Sequence, residues 1–218
     1  MDFLARLDEA RRATDVLEHP FYQRWSAGEL SAGELGRYAA EYRHAVIALA
    51  EASERAAAKA GPVHAGGLRR HAEEEAAHVA LWEQFAQESG AGAPAYDGEG
   101  ALAQTQACVQ AWTAGEDLLE HLAVLYVIEA GQPEISRTKI EGLVDHYGYT
   151  EEGPATEYFR VHELRDVEHA RAAGELIAEL MDGAEDPDEQ LDRMVARAIA
   201  ALRGNWLLLD GVQAQAPR

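Results

Sequence analysis

The chain is predicted to be an all-α protein, a compact bundle of seven or eight helices, and three observations lead there. Alternating apolar and polar runs of the kind that make half-buried strands are absent. Apolar residues recur at helical spacing almost throughout, and helix-starting signals separate the periodic stretches. Hydrophobic residues make up 47% of the 218, enough for a sizeable core, and no linker forces a division, so residues 1–218 are expected to form a single helical domain.

A short first helix carries Leu4 and Leu7. "HPFY" marks a second start at Pro20, because proline is tolerated in a first turn where its missing N–H matters least. Ser31 caps the third helix, with Glu34 at the reciprocal capping-box position. Leu35, Tyr38, Tyr42, Val46 and Leu49 then form an apolar stripe running towards Lys59. "AGPVHAGG" interrupts the pattern, and a helix follows from about Leu68 to Ser89 with Trp82 and Phe85 on its inner side. "GAGAPAYDGEG" is a glycine- and proline-rich loop. Further helices are expected over roughly Leu102–Thr113, Asp117–Ala130, Pro133–Tyr147 and Pro154–Met181. After "DGAEDPDE" a last amphipathic helix runs through Leu209.

A net charge of −20 repels phosphate backbones and anionic lipid, so nucleic acid and membrane surfaces are poor partners. No stretch reaches 18 consecutive apolar residues, and the start "MDFLARLDEARR" lacks the pattern of an export signal. A cytoplasmic protein is the expectation. The one cysteine, Cys108, makes neither an internal disulfide nor a thiolate metal cluster and reads as a core residue.

Against this background the acidic and histidine positions inside the helices are informative. In "HELRDVEHARA" the offsets of His162, Asp166 and His169 are zero, four and seven, so all three share one helical face. Glu129 ends "LAVLYVIEA", a segment apolar on nearly every side, where an unpartnered carboxylate costs several kcal/mol. Its partner is an arginine or lysine, solvent near the helix end, or a metal. "HAEEEAAHVALW" sets Glu74 and Glu75 four and three residues before His78, either within reach of that histidine, in the manner of the Glu-x-x-His element of carboxylate-bridged bundles. Glu41, beside the stripe, is a further carboxylate whose alternative is an ion pair with Arg37 or Arg43. Oxygen and imidazole donors without thiolate suit iron, or manganese, better than structural zinc.

The segments "HPFYQRWSAGELS", "HVALWEQFA", "LYVIEAGQPEISRTKIEGLVDHYG" and "YFRVHELRDVEHARA" resemble those of the heme-oxygenase-like diiron oxidases and oxygenases, particularly the branch around the chlamydial protein associating with death domains. That branch is similar in fold to the TenA thiaminases and to the cofactorless oxidase of pyrroloquinoline quinone synthesis. The resemblance implies two ferrous ions held by a glutamate of "EEE", His78, Glu129, His162, Asp166 and His169, and a functional lysine at Lys139. The alternative for that lysine is an ion pair with Glu129 or Glu141. Two departures stand out. The segment between the glutamates and His78 is shorter than in the family, and Ile128 stands where the self-processing branch carries a tyrosine.

The expected activity is that of a dioxygen-activating diiron enzyme acting on a free small substrate bearing an amine or carboxylate, by N-oxygenation or oxidative C–C cleavage, with an external electron donor and a homodimeric assembly. The alternative is a synthase making para-aminobenzoate from its own tyrosine, with Tyr22 and Tyr158 as the candidate rings. A non-catalytic binding or interaction protein is a third possibility. Tyr38, Tyr42, Trp82, Tyr126 and Tyr158 read first as core aromatics, with lining of the cavity as their second role.

Overall fold

The structure, a computed structural model, describes residues 3–91 and 100–215. The loop expected over Gly90–Gly100 therefore lies largely outside the described residues. Within them the chain has eight helices of eleven residues or more and one two-turn helix. In order they are α1 (Phe3–Ala13), a 3-10 turn (Val16–Glu18), α2 (Pro20–Ser26), α3 (Ala32–Lys59), α4 (Ala65–Glu88), α5 (Ala103–Thr113), α6 (Leu118–Glu129), α7 (Gln132–His146), α8 (Glu157–Asp182) and α9 (Pro187–Ala214). No described helix is long and apolar enough to cross a membrane.

The local signals place the ends. Ser31 Oγ accepts a hydrogen bond from the Glu34 N–H at 3.3 Å while Glu34 Oε2 accepts one from the Ser31 N–H at 2.9 Å, a complete capping box. Asp117 and Asp186 cap α6 and α9 in the same way, each through its carboxylate and the N–H three residues on. His19 caps α2 by accepting from the Phe21 N–H, and Pro20 follows at the first helical position.

Packing then decides what these helices enclose. α6 is buried around nearly its whole circumference, including Glu129, and lies against α8 and α9. α4 packs on α3 and α8, α7 on α8, and α5 on α9 and α3. Three fully buried tryptophans tie the helices together by donating from Nε1 to a backbone carbonyl of another helix. Trp82 of α4 reaches Ala39 (2.8 Å), Trp112 of α5 reaches Ala201 (3.0 Å) and Trp25 of α2 reaches Lys139 (3.2 Å). Each indole removes roughly 150–250 Å² from water without leaving its N–H unpaired. The last contact requires Gly142, where a Cβ would stand 2.5 Å from the Trp25 ring.

Candidate metal centre

α4, α6 and α8 bring seven side chains to one place. α8 contributes His162, Asp166 and His169 from its inner face, as their offsets require. α4 contributes Glu75 and His78, and α6 ends on Glu129. The seventh is His71 of α4. Its Nε2 lies 2.9 Å from Glu129 Oε1, and its ring packs on that of His169 with centroids 4.3 Å apart. His78 and His162 pair in the same way at 4.5 Å. Glu75 stands between the pairs, with Oε1 3.2 Å from His78 Nδ1, 3.7 Å from His169 Nδ1 and 3.8 Å from His71 Nε2, and Oε2 3.8 Å from His162 Nε2.

The donors fall into three groups whose ligand atoms lie within 4.8 Å of one another: His71, Glu129 and His169; Glu75, His78 and His162; Glu75, Asp166 and His169. Nine of these atoms are buried without a well-formed hydrogen bond: His71 Nε2, Glu75 Oε1, His78 Nδ1, both Glu129 oxygens, His162 Nε2, both Asp166 oxygens and His169 Nδ1. Folded proteins leave few buried polar atoms unpaired, so nine converging on one point fit a bound cation. The outer nitrogens are held where the inner ones are free. Nδ1 of His162 pairs with the Tyr158 carbonyl at 2.7 Å and Nε2 of His169 with Glu74 at 3.1 Å, the outer support that orients metal-binding imidazoles.

The electrostatics agree. Burial pushes the carboxyls of Glu129 and Asp166 above their ordinary values. Burial acts the same way on Glu75, but His162 and His78 outweigh it and hold that carboxyl far below the usual range. Burial opposes protonation of His169, yet Asp166, Glu129 and Glu75 together raise it to about 9. Carboxyls and imidazoles thus offset one another's burial, and a divalent cation can take the place of protons in such a cluster.

Several sequence expectations are revised at this level. Of the two adjacent glutamates, Glu75 has its carboxylate among the imidazoles, whereas Glu74 is half-exposed and touches only the far side of His169. Glu41 is not in the cluster. Its Oε2 accepts from the Leu102 N–H (3.1 Å) and the Thr105 hydroxyl (2.5 Å), tying α3 to the start of α5. Glu129 is neutralised neither by arginine or lysine nor by solvent, since it is fully buried and its neighbour is His71. Sequence reasoning passed over His71, although its offsets to Glu75 and His78 are the same four and seven that made the α8 triple conspicuous.

Beside the cluster lies an aromatic chamber. Lys139 of α7 is buried, with Nζ 5.1 Å from the ring centre of Tyr22, 5.3 Å from Tyr38, 4.9 Å from Tyr42 and 5.2 Å from Phe159. Among the described residues it forms no ion pair, so the alternative of a link to Glu129 or Glu141 is not realised. Burial alone pulls its amine down to about 7. Tyr22 and Tyr38 join their hydroxyls at 3.0 Å. Tyr158 stacks on His162 at 4.0 Å and meets Trp82 at 4.8 Å, so it stands between chamber and cluster. Tyr126 belongs elsewhere, its hydroxyl donating to Asp8 of α1 at 3.1 Å. Cys108 is a buried core residue, as expected.

Residues 69–204, the span that carries all seven donors, match a family described as iron-containing redox enzymes. The chain belongs to this family. Proteins named 4-aminobenzoate synthase are similar to it over most of their length. That of Chlamydia trachomatis serovar D is 32% identical over 88% of this chain and 85% of its own. Those of Nitrosomonas europaea and Chlamydia muridarum are each 29% identical, over 96% and 95% of this chain and 90% and 91% of theirs. Among solved structures, a TenA homologue from Pseudomonas syringae pv. tomato superposes with a TM-score of 0.82 at 17% identity, covering 97% of this chain and 91% of that one. A domain with a heme-oxygenase-like fold from Shewanella denitrificans gives 0.80 at 18% identity, covering 99% and 93%. At that identity the chain shares with these neighbours the heme-oxygenase-like helical fold, and nothing further is carried over.

Proposed function

We propose that this protein is a metal-dependent 4-aminobenzoate synthase that takes the aromatic ring from one of its own tyrosines, with Tyr22 as the source. The observation that carries this reading is the sealed chamber. Tyr22 and Lys139 are each 1% exposed and lie side by side, so the ring within reach of the lysine belongs to the chain itself. The names of the relatives support the product, and the product's carbon skeleton fits the source. A benzene ring with one para carbon substituent is what tyrosine supplies when the bond between Cα and Cβ is broken and dioxygen oxidises Cβ to the carboxyl, while a nitrogen replaces the phenolic oxygen, which leaves as water. The amine placed to donate that nitrogen is Lys139, 5.1 Å from the Tyr22 ring centre. This reading displaces the expectation of a free substrate that Ile128 favoured.

Two ions held by Glu75, His78, Glu129, His162, Asp166 and His169 would supply the oxidising power by activating dioxygen, and iron suits the donor set, with manganese the alternative. The chain's own groups do the rest. Burial excludes water from the chamber. It also lowers the Lys139 amine to about 7, so that near neutral pH a substantial share of it is unprotonated and carries a lone pair beside the phenols. The Tyr22–Tyr38 hydrogen bond fixes the orientation of the Tyr22 hydroxyl. Tyr22 sits on the two-turn α2, whereas Tyr38 and Tyr42 lie within α3.

The test is intact-mass measurement before and after one aerobic cycle with iron and reductant, together with assay for 4-aminobenzoate. The expected result is a mass loss matching the departing side chain, no more than about one product per chain, and abolition of both by Tyr22→Phe. Repeated turnover at unchanged mass overturns the reading in favour of a free small substrate. Mass loss that persists in Tyr22→Phe and disappears in Tyr158→Phe moves the source to Tyr158.

A further inference from the structure

The inner face of α4 repeats the pattern of α8. His71, Glu75 and His78 have offsets of zero, four and seven, as do His162, Asp166 and His169. Each is a ladder of imidazole, carboxylate, imidazole spanning two helical turns. The ring contacts show how the ladders meet. His71 faces His169 and His78 faces His162, so the two helices run antiparallel and place a pair of histidines at either end. A carboxylate completes each end, Glu129 beside His71 and His169, and Glu75 beside His78 and His162.

The two ends differ in access. The side chains of Glu75 and His162 are 3% and 0% exposed and that of His78 10%. The His71 and His169 side chains keep 14% and 12% exposure and form part of the wall of an open cleft of about 680 Å³, to which Leu68 and Arg70 of α4 and Leu176 of α8 also contribute. None of Glu75, His78 or His162 reaches that cleft. His71 Nε2 lies 2.9 Å from Glu129 Oε1 without a well-aligned N–H···O bond, and Glu129 Oε2 makes no hydrogen bond, so both side chains keep donor atoms available to a cation.

The geometry points to His71 as a metal ligand and to two unequal metal positions: one at Glu75, His78 and His162, away from the cleft, and a cleft-facing one at His71, Glu129 and His169 that small exogenous ligands can reach. Soft and hard donors are balanced alike at the two ends, each having two imidazoles and a carboxylate, so access and not ligand chemistry distinguishes them. This rests on the metal dependence in the proposed function and is independent of which ring is consumed.

Cobalt(II) is a suitable probe because it binds such donors and its visible absorption reports each site without oxygen. Anaerobic titration of the chelator-stripped full chain should take up two equivalents, and azide should perturb the bands of one equivalent only. His71→Gln keeps an amide donor towards Glu129 but removes the imidazole ligand. It should lose one equivalent and the azide response, while His71→Glu should restore the second equivalent. Circular dichroism of each variant confirms that the bundle is intact. A folded His71→Gln that binds two cobalt ions with the azide response unchanged overturns the proposal, as does loss of both equivalents together. Because no oxygen is admitted, failure of the tyrosine reading leaves the cobalt result untouched, and the reverse holds for the mass measurement.

Discussion

The metal-ligand cluster and the lysine chamber are neighbours, both buried, both built around ionisable groups, and they settle the cost of burial in opposite ways. In the cluster, three carboxylates and four imidazoles compensate one another and leave nine polar atoms aimed inward. In the chamber a single amine sits among four aromatic rings with no ion pair, and burial pulls its pKa down to about 7. The first has the donor set that could exchange protons for a cation. The second keeps a basic nitrogen in a dry space by making its charged form unfavourable. The difference teaches that burial alone does not announce a metal. What does is the convergence of several unpaired donors, and a lone buried lysine signals a different chemistry.

The largest effect should come from the carboxylate at the centre of the cluster. Glu75→Ala removes the group that approaches four imidazoles, and iron bound after anaerobic loading should fall from about two per chain to less than one. Product formation should drop by more than about 100-fold. Glu74→Ala, one residue away, touches only the outer nitrogen of His169 and should weaken iron binding by no more than about tenfold. Equal losses in the two variants would erase the distinction drawn here between ligand and outer support.

The chamber should respond in the opposite sense. Lys139→Met replaces the amine by an apolar chain of similar length and should stop product formation while making the bundle more stable. The unfolded lysine titrates near 10.5 and the folded one near 7, so between these values the unfolded chain binds the extra proton and stability rises with pH. Below pH 7 the parent carries the whole penalty, on the order of 5 kcal/mol. The stability gap between variant and parent should therefore be full at pH 6, shrink from pH 7 upwards and approach zero near pH 10.5. Urea unfolding of both proteins at pH 6, 8 and 10 measures it. A gap that does not change with pH would mean that Lys139 has a charge partner.

The smallest effect should belong to Glu41, which lies in neither region. Glu41→Gln weakens its contacts to Leu102 and Thr105 and should cost about 1–2 kcal/mol in unfolding free energy with iron content unchanged. Loss of iron in this variant would return Glu41 to the cluster.

The helices and several of their caps were legible because those signals are local. A serine three residues before a glutamate makes the same reciprocal bonds in any fold, and Ser31 and Glu34 do so here. The α8 ladder was legible for the same reason, since offsets of four and seven share a face wherever the helix packs. His71 carried that signal too and was passed over beside the run of three glutamates. By contrast, nothing local separates Glu74 from Glu75. They project about 100° apart on one helix, and only the position of α8 decides which of them faces the imidazoles.

The sequence by itself determined that the chain is helical, where most helices start, that oxygen and nitrogen donors lie in helical register, and that no thiolate competes with them. Tertiary structure decided the assignments that depend on partners far along the chain. It directed Glu41 to the start of α5, set His71 against Glu129, and closed tyrosines from α2 and α3 around a lysine from α7. The physical reason is range. Periodicity and capping act within one or two turns, whereas the meeting of two helix faces follows from how a whole set of apolar stripes can be buried at once.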